Sequence, residues 1–279
     1  MRLLAPYALL YLLAIACAAG LATQSQAADA PLQVRIGYLG YRPDPGPILS
    51  NVIPEPTDAG LRGAELAITD SNSTGRFLNH SYTLVSARVD SPEALLDAAK
   101  TQHVQGLRLF VVNAPADSVR QLSAALPDSL IFNAGSPDDR LRTTDCLPNV
   151  LHSLPSRAML ADALAQFLVV RKWQRALLIV GPTADDQAYA AALRRSAKRF
   201  GLQLVAEKAW SFDNDQRRSA QADMPLFTQT AEYDVVLVAD ERGDFGEYVP
   251  YQTWYPRPVA GTQGLTPVSY THLTLPTKA

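Results

Sequence analysis

Polar side chains follow several short apolar runs of the sequence, at the point where each run ends. Tyr41 and Arg42 follow "RIGYLG", Asn113 follows "LFVV", and Asn133 and Ser136 follow "SLIF". Hydroxyl, amide and guanidinium groups of this kind can hydrogen-bond a small molecule. If the runs are parallel strands, these side chains lie at the carboxyl ends, where open α/β sheets bind ligands. For Asn133 and Ser136 the alternative is that they only shape their own turn.

A second group of candidates has the same placement later in the chain. Thr183 comes shortly after "LLIVG", and Asp240 and Glu241 come directly after "VVLVA". A hydroxyl and two carboxylates could orient a ligand in a cleft with apolar walls. The alternative for the two acidic residues is that they are solvated loop charges. Both groups therefore predict a ligand-binding site, with no ligand specified.

Residue combinations typical of catalysis or of metal binding do not occur in the sequence. There is no G-x-S-x-G, P-loop or H-E-x-x-H motif, and His80, His103 and His152 fall in unrelated segments. The acidic segments "FDNDQ" and "DERGDFGE" do not have the spacing of a calcium loop. A net charge of -2 argues against binding of a nucleic-acid backbone. We therefore predict a small-molecule partner, and no enzyme activity, cofactor, metal or nucleic acid.

Two kinds of segment alternate along the chain and must position these groups. Continuous apolar runs such as "LFVV" are typical of parallel strands that helices cover on both faces. The segment "SPEALLDAAK" predicts a helix with Ser91 as its N-cap and Pro92 in its first turn. In "RAMLADALAQFLVVRK" an apolar stripe is predicted to face the core, formed by Leu160, Leu164, Phe167 and Leu168.

The order of these elements predicts an α/β protein with two Rossmann-like β/α lobes. The first lobe is predicted to span residues 28–153 and the second residues 154–260, with a hinge between them. The short segment 261–267 is predicted to begin a return crossing toward the first lobe.

Residues 1–27 have the order of a secretory signal. Arg2 is followed by an apolar run, and the small residues Ser25 and Ala27 precede the predicted cleavage point. We therefore expect a mature protein that begins at Ala28 and is located in the periplasm. The alternatives are a retained membrane anchor and lipidation of Cys17, but Ala14 stands where lipidation motifs usually carry leucine. Cleavage would leave a single cysteine, at position 146, for which we predict a packing role.

Several segments together carry a resemblance to a known family. "RIGYLG" near the mature start, "DAGLRGAELAITDSNSTG", "HSLPS" and "DDQAYAAAL" occur in that order behind the signal. The chain thereby resembles the type I periplasmic solute-binding proteins of the branched-chain amino-acid receptor kind. The resemblance implies a monomeric receptor that closes around a small solute and delivers it to an ABC permease in the inner membrane. "DDQAY" resembles the family's D-x-x-Y element, which implies that Tyr189 faces the cleft; from its spacing alone, the alternative is that Tyr189 belongs to the core.

Three longer segments resemble a narrower subgroup. They are "GYLGYRPDPGPILSNVIPEP", "MPLFTQTAEYDVVLVADERGDFGEYVPY" and "RPVAGTQGLTP". They are similar to ABC-transporter substrate-binding proteins associated with pyrroloquinoline-quinone-dependent alcohol dehydrogenase systems. The Ser/Thr-rich loops that hold an amino acid in the wider family read "VVNAPAD" and "FNAGSPDD" here, which departs from the amino-acid pattern. Two alternatives stay open, a ligand-sensing protein that signals to a membrane partner and a periplasmic enzyme.

The end of the sequence breaks with the pattern before it. "VSYTHLTLPT", from Val268 to Thr277, matches one translated frame of the transposase-type adapter used in DNA library preparation. We therefore expect residues 268–279 to be an artefact and the gene product to be truncated near Pro267. On this expectation the last part of the two-lobed fold is missing, and His272 has no functional role. The alternative is a native strand.

Overall fold

The structure is a computed structural model, and it describes residues 31–41, 56, 58–211 and 215–261. The predicted signal segment, Arg42, the three residues 212–214 and the predicted artefact at 268–279 lie outside the described residues. In the described part of the chain, no helix is long and apolar enough to cross a membrane.

The first lobe is built on a parallel sheet of five strands. The strand order is β2-β1-β3-β4-β5, so the chain first adds a strand on one side of β1 and then continues on the other. Its strands are β1 Leu32–Tyr41, β2 His80–Val89, β3 Leu109–Asn113, β4 Leu130–Asn133 and β5 Val150–His152. Its helices are α1 Leu61–Leu78, α2 Pro92–Val104 and α3 Ala116–Ala125, with a short 3-10 helix at Asp139–Arg142.

The second lobe repeats this plan on a parallel sheet of four strands. The strand order is β7-β6-β8-β9, again with additions on both sides of the first strand. Its strands are β6 Arg175–Val180, β7 Gln203–Ala209, β8 Val235–Ala239 and β9 Val259–Gly261. Its helices are α4 Arg157–Val170, α5 Ala184–Phe200 and α6 Gln216–Phe227, with a short 3-10 helix at Gly246–Tyr251.

The core of the first lobe lies between its sheet and the pair α2 and α3. Alternate side chains of the strands point into this layer, because successive residues of a strand face opposite sides. Ser91 caps α2 as the sequence predicted, since its side chain accepts a hydrogen bond from the backbone of Ala94 at 3.1 Å. The buried side chains include Leu39, Leu95, Ala99, Phe110, Val112, Val119, Leu122 and Ile131.

The core of the second lobe covers both faces of its sheet. All five residues of β8 are buried, which explains its continuous apolar sequence. One layer packs under α4 and α5 and includes Leu168, Leu178, Leu193 and Leu237. The other layer packs under α6 and includes Leu177, Trp210, Met224 and Phe245.

Two packing predictions are wrong. The core face of α4 is formed by Ala161, Ala165 and Leu168, whereas Leu160 and Phe167 are 44% and 42% exposed. The alanines face inward because α4 packs against α5, and small side chains let two helices approach closely. Cys146 is exposed, so it does not have the packing role that we predicted.

Candidate functional site

Each sheet has one pair of neighbouring strands from which the chain departs in opposite directions. In the first lobe this pair is β1 and β3, and in the second it is β6 and β8. The connections diverge at the carboxyl ends of such a pair and leave a crevice, which is where open α/β sheets bind ligands. We call the carboxyl ends of β1, β3 and β4, from Tyr38, Asn113 and Asn133 onward, together with the residues that follow them, the lobe I edge. We call those that follow β6 and β8, from 181 to 186 and from 240 to 244, the lobe II edge.

Tyr38 and Asn113 form the polar end of the lobe I edge. Asn113 Nδ2 donates to the Tyr38 hydroxyl at 3.3 Å, and that hydroxyl lies 3.5 Å from the carbonyl of Ala59. Gly60, with φ of 84°, brings the start of α1 against them; a Cβ there would lie 2.7 Å from both Asn113 Nδ2 and the Tyr38 hydroxyl. The contact therefore requires glycine. Tyr41, at the end of β1, is half-buried against the core of the first lobe.

A cavity of about 350 Å³ extends from this polar end between α1 and the sheet. Tyr38, Gly60, Asn113 and Ala134 line its polar end. The remaining lining is apolar and comes from Ile36, Ala64, Ala67, Ile68, Leu84 and Val111, with Ser71. A pocket with apolar walls and a few polar groups is the usual form of a small-molecule site.

Asn133 holds the turn after β4. It is fully buried, and its Oδ1 accepts from the backbone of Gly135 at 3.2 Å and of Ser136 at 2.9 Å. Its Nδ2 donates to the carbonyl of Ser136 at 2.8 Å and lies 3.0 Å from His152 Nδ1. The hydroxyl of Ser136, also buried, accepts from the backbone of Asp138 at 3.4 Å. These bonds use the hydrogen-bonding capacity of the Asn133 amide, which favours the turn-shaping alternative.

His152 ends β5, directly before the chain passes to the second lobe. Burial and the nearby charge of Arg142 lower its pKa, so that the ring is neutral at physiological pH. Neutral Nδ1 can accept the hydrogen bond from Asn133, which a protonated ring could not do. Arg142 in turn donates to the carbonyl of Leu154 in the connection. The turn after β4 and the connection are thus parts of one network.

Thr183 and Asp186 form the first part of the lobe II edge. They make a capping box at the start of α5: the Thr183 hydroxyl accepts from the backbone of Asp186, and Asp186 Oδ2 accepts from that of Thr183, both at 3.1 Å. Asp186 Oδ1 also accepts from the backbone of Glu241 at 2.7 Å. The predicted candidates Thr183 and Glu241 are therefore brought together through Asp186, which the sequence interpretation did not include.

Asp240 is buried within its own loop. It is 1% exposed and accepts hydrogen bonds from the backbones of Asp244, Phe245 and Gly246 at 3.0, 2.9 and 2.6 Å. Burial raises the pKa of Asp240, and the three backbone donors act in the opposite direction. This carboxylate shapes the loop after β8 and points away from solvent.

Arg157, the first residue of α4, is the charged group that the sequence interpretation missed. Its side chain is 7% exposed, and its Nη2 donates to Asp185 Oδ1 at 2.6 Å and to Glu241 Oε2 at 3.3 Å. Its Nε is buried without a hydrogen-bond partner. Its backbone N–H donates to the carbonyl of Pro137 in the first lobe at 3.0 Å. The sequence did indicate that Arg157 is unusual, because the helix dipole disfavours a cation in the first turn of a helix.

Burial raises the pKa of Glu241, and the charge of Arg157 opposes that rise. Tyr189 lies nearby on α5 and is 3% exposed, packed within the core of the second lobe. Burial raises the pKa of Tyr189 to about 12, and the negative charge of Glu241 contributes to the rise. The structure thus places Tyr189 close to Glu241 but largely behind the surface of the lobe II edge.

A second cavity, of about 310 Å³, lies where the two lobes meet beside the connection. The 3-10 helix of the first lobe and α5 of the second lobe form its walls. Ser156 lies at its rim, and the other lining residues are Asp139, Arg142, Thr143, Ala158, Ala188, Ala191, Ala192 and Arg195. No group of three or more residues suited to hold a metal ion occurs among the described residues.

Comparison with known proteins shows similarity at the level of structure alone, since neither a protein-family profile nor a curated protein matches the chain. An ABC transporter substrate-binding protein from Desulfitobacterium hafniense, in complex with Leu, matches with a TM-score of 0.60 and 15% identity. The leucine-, isoleucine-, valine-, threonine- and alanine-binding protein from Brucella ovis, in its closed conformation, matches with a TM-score of 0.62 and 16% identity. The lac repressor dimer bound to operator and the anti-inducer ONPF matches with a TM-score of 0.50 and 15% identity.

The matches cover 82%, 83% and 91% of this chain, in the same order. They cover 65% and 60% of the two binding proteins, so this chain spans less than two thirds of their length, and 81% of the repressor. The predicted α/β fold with two parallel-sheet lobes, like that of type I periplasmic binding proteins, is confirmed. Because a repressor shares the fold, function has to be argued from the site.

Proposed function

We propose that this chain is the ligand-binding part of a two-lobed solute receptor that holds one small molecule between the lobe I edge and the lobe II edge. One observation carries the proposal: polar networks occupy the carboxyl ends of both parallel sheets, and the start of α4 is hydrogen-bonded to both lobes. Arg157 makes this link, since its backbone donates to Pro137 and its side chain to Asp185 and Glu241. A connection of this kind suits hinge closure around a ligand.

The residues proposed to contact the ligand come from both edges. From the first lobe they are Tyr41, Asn113 and Arg42, the last of which lies outside the described residues. From the second lobe they are Glu241, whose side chain is 19% exposed, and Tyr189, which lies close to Glu241 and is 3% exposed. Asn133, Ser136, Thr183 and Asp240 would act indirectly, because they fix the loops that carry the contacts.

The cellular role proposed for the receptor is delivery of its solute to an ABC permease in the inner membrane, from the periplasm and as a monomer. The structural similarity to an ABC transporter substrate-binding protein supports this role. The link to quinoprotein-dependent alcohol oxidation rests on the three segments that resemble that subgroup, of which residues 42–55 and 262–267 lie outside the described part. The likeness to the lac repressor adds no DNA-binding role, since a net charge of -2 does not favour a nucleic-acid surface.

The first experiment asks whether the protein carries a small molecule. Protein expressed from the complete gene would be purified from the periplasm without denaturation and weighed by native mass spectrometry. We expect a single mass increment that disappears when the protein is unfolded, because a closed cleft retains its solute. Absence of any increment, together with no thermal shift by periplasmic extract, would contradict the proposal.

The second experiment asks where the molecule binds. The released compound would be titrated into wild type, Asn113→Ala and Glu241→Ala by calorimetry, with Glu232→Ala as the matched control. Glu232 is an exposed carboxylate that pairs with Arg175 at the far end of β6. We expect the two edge variants to lose at least about tenfold in affinity, which corresponds to about 1.4 kcal/mol. Equal affinity in all four proteins would place the ligand elsewhere.

A further inference from the structure

The charged groups of the lobe II edge already have partners within the chain. Asp185 and Glu241 share Arg157, and Asp244 lies 3.6 Å from Arg242. Asp186 accepts from two backbone N–H groups, and Asp240 from three. Among the described residues of this edge, each carboxylate therefore has an internal donor or cation.

The polar end of the lobe I edge has no carboxylate. Tyr38 and Asn113 form this end, and the adjoining cavity is otherwise mostly apolar. The acidic side chains after β4 are matched internally: Asp138 pairs with Arg140 at 2.6 Å, and Asp139 accepts from the backbone of Ala158 at 2.9 Å. The exposed side chain beside Gly40, at the end of β1, is the cation Arg88.

Arg157 controls whether the carboxylates of the lobe II edge are available to a ligand. Glu241 and Asp185 could bind the ammonium group of a ligand if they were free, but Arg157 fills that position with its own cation. The Arg157–Glu241 pair is shielded from water, because the two side chains are 7% and 19% exposed, whereas Asp185 is 65% exposed. Breaking a shielded pair leaves an unpaired buried charge, so a competing cation gains little.

We infer that Arg157 determines ligand specificity by occupying the place of a cationic group, so that the cleft takes a small molecule without an ammonium group in preference to an amino acid or an amine. A ligand ammonium group would have to give up its hydration without gaining a counter-charge from the described carboxylates of either edge, which are already paired. A neutral ligand can use the hydroxyl of Tyr38, the amide of Asn113 and the apolar cavity beside them. The inference rests on the proposed function, since it concerns the same cleft.

The first test needs no variant. Periplasmic extract of the source cells would be passed through a cation exchanger at about pH 2, which retains amines and amino acids and lets uncharged molecules and acids through. Each fraction would be added to ligand-free wild-type protein from the complete gene, and its melting temperature measured. We expect a rise with the unretained fraction alone. A rise with the retained fraction would overturn the inference but leave the proposed function intact, whereas no rise with either fraction would count against both.

The second test frees the carboxylates. The affinities of four compounds with one carbon skeleton would be measured: L-leucine, L-leucinamide, 4-methylpentanoate and 4-methylpentanamide. Arg157→Met should bind the cation L-leucinamide at least about tenfold more tightly than wild type. The double variant Arg157→Met/Glu241→Gln should lose this gain. Arg195→Met removes an exposed arginine that pairs with Asp162, so it should leave all four affinities unchanged.

A gain for one cationic compound is a result that simple destabilisation would not produce. A folded Arg157→Met protein with wild-type affinity for L-leucinamide would overturn the inference. If Arg157→Met does not fold, Glu241→Gln with Arg157 intact replaces it; that variant should bind 4-methylpentanoate more tightly than wild type, because half of the counter-charge of Arg157 is removed. No gain in that variant would equally overturn the inference.

Discussion

Replacing Asn133 by alanine separates a structural role for this residue from a ligand-binding one. The buried amide makes four hydrogen bonds, to two backbone N–H groups, one carbonyl and His152. A net loss of about 0.5–1.5 kcal/mol for each of the four bonds predicts a total of roughly 2–6 kcal/mol. Asn113→Ala removes one bond, of 3.3 Å, and should cost about 1 kcal/mol or less.

The assay can follow the two lobes separately. All three tryptophans, Trp173, Trp210 and Trp254, belong to the second lobe, so their fluorescence reports its unfolding. Far-UV circular dichroism reports both lobes. In urea titrations of Asn133→Ala, the dichroism should show an early transition of the first lobe, while the fluorescence midpoint moves much less.

The result that refutes this reasoning is also specific. If Asn133→Ala unfolds like wild type but loses ligand affinity, then the amide contacts ligand and the turn is stable without it. If both variants lose about the same stability, burial and the number of hydrogen bonds are not what distinguishes the two asparagines. Asn133→Asp adds a further check, because it keeps the oxygen that accepts from the turn but places a carboxylate beside His152.

Three further outcomes are expected. The folded protein lowers the pKa of His152, so the unfolded chain takes up the proton first, and the free energy of unfolding should fall as pH drops below about 6.5. Urea titrations at pH 7.5 and 5.5 should show a smaller fall in His152→Gln than in wild type. An equal fall in the two proteins would mean that another group is responsible. Gly60→Ala should lower the free energy of unfolding by about 1–3 kcal/mol, because of its φ of 84° and two contacts at 2.7 Å. The control Gly106→Ala has a φ of 91° but open space around the added Cβ, so it should lose less stability. Equal losses in thermal denaturation would mean that the two contacts do not matter. Tyr189→Phe keeps the buried ring, so its free energy of unfolding should lie within about 1 kcal/mol of wild type. Tyr189→Ala should lose about 3–5 kcal/mol of stability and bind ligand about one to two orders of magnitude more weakly. Full affinity in a destabilised Tyr189→Ala protein would mean that the residue belongs to the core alone.

The sequence was sufficient for the order and type of the elements. Runs such as "VVLVA" are apolar at every position because both faces of β8 are covered, and no exposed strand would keep that pattern. The cap at Ser91 was also predictable, since it depends on groups within four residues of one another. Local periodicity, caps and turns depend on residues that are close together in the sequence, so they can be predicted without knowledge of tertiary contacts.

Burial was less predictable where two helices meet. The stripe predicted for α4 included Leu160 and Phe167, but packing against α5 selects the small side chains Ala161 and Ala165. The short strands β5 and β9, of three residues each, also gave no signal of their own. They become strands because a neighbouring edge, β4 or β8, supplies their hydrogen bonds.

The roles of the polar residues were decided by the tertiary structure. The rule that ligands bind at the carboxyl ends of parallel strands located Asn133, Asp240 and Glu241 correctly at those ends, because their location follows from the order of the strands alone. It could not show that Asn133 and Asp240 satisfy backbone groups of their own loops, or that Glu241 is paired with Arg157, 84 residues away in sequence. Charge pairing and desolvation depend on which groups meet in space, and for residues this far apart only the fold determines that.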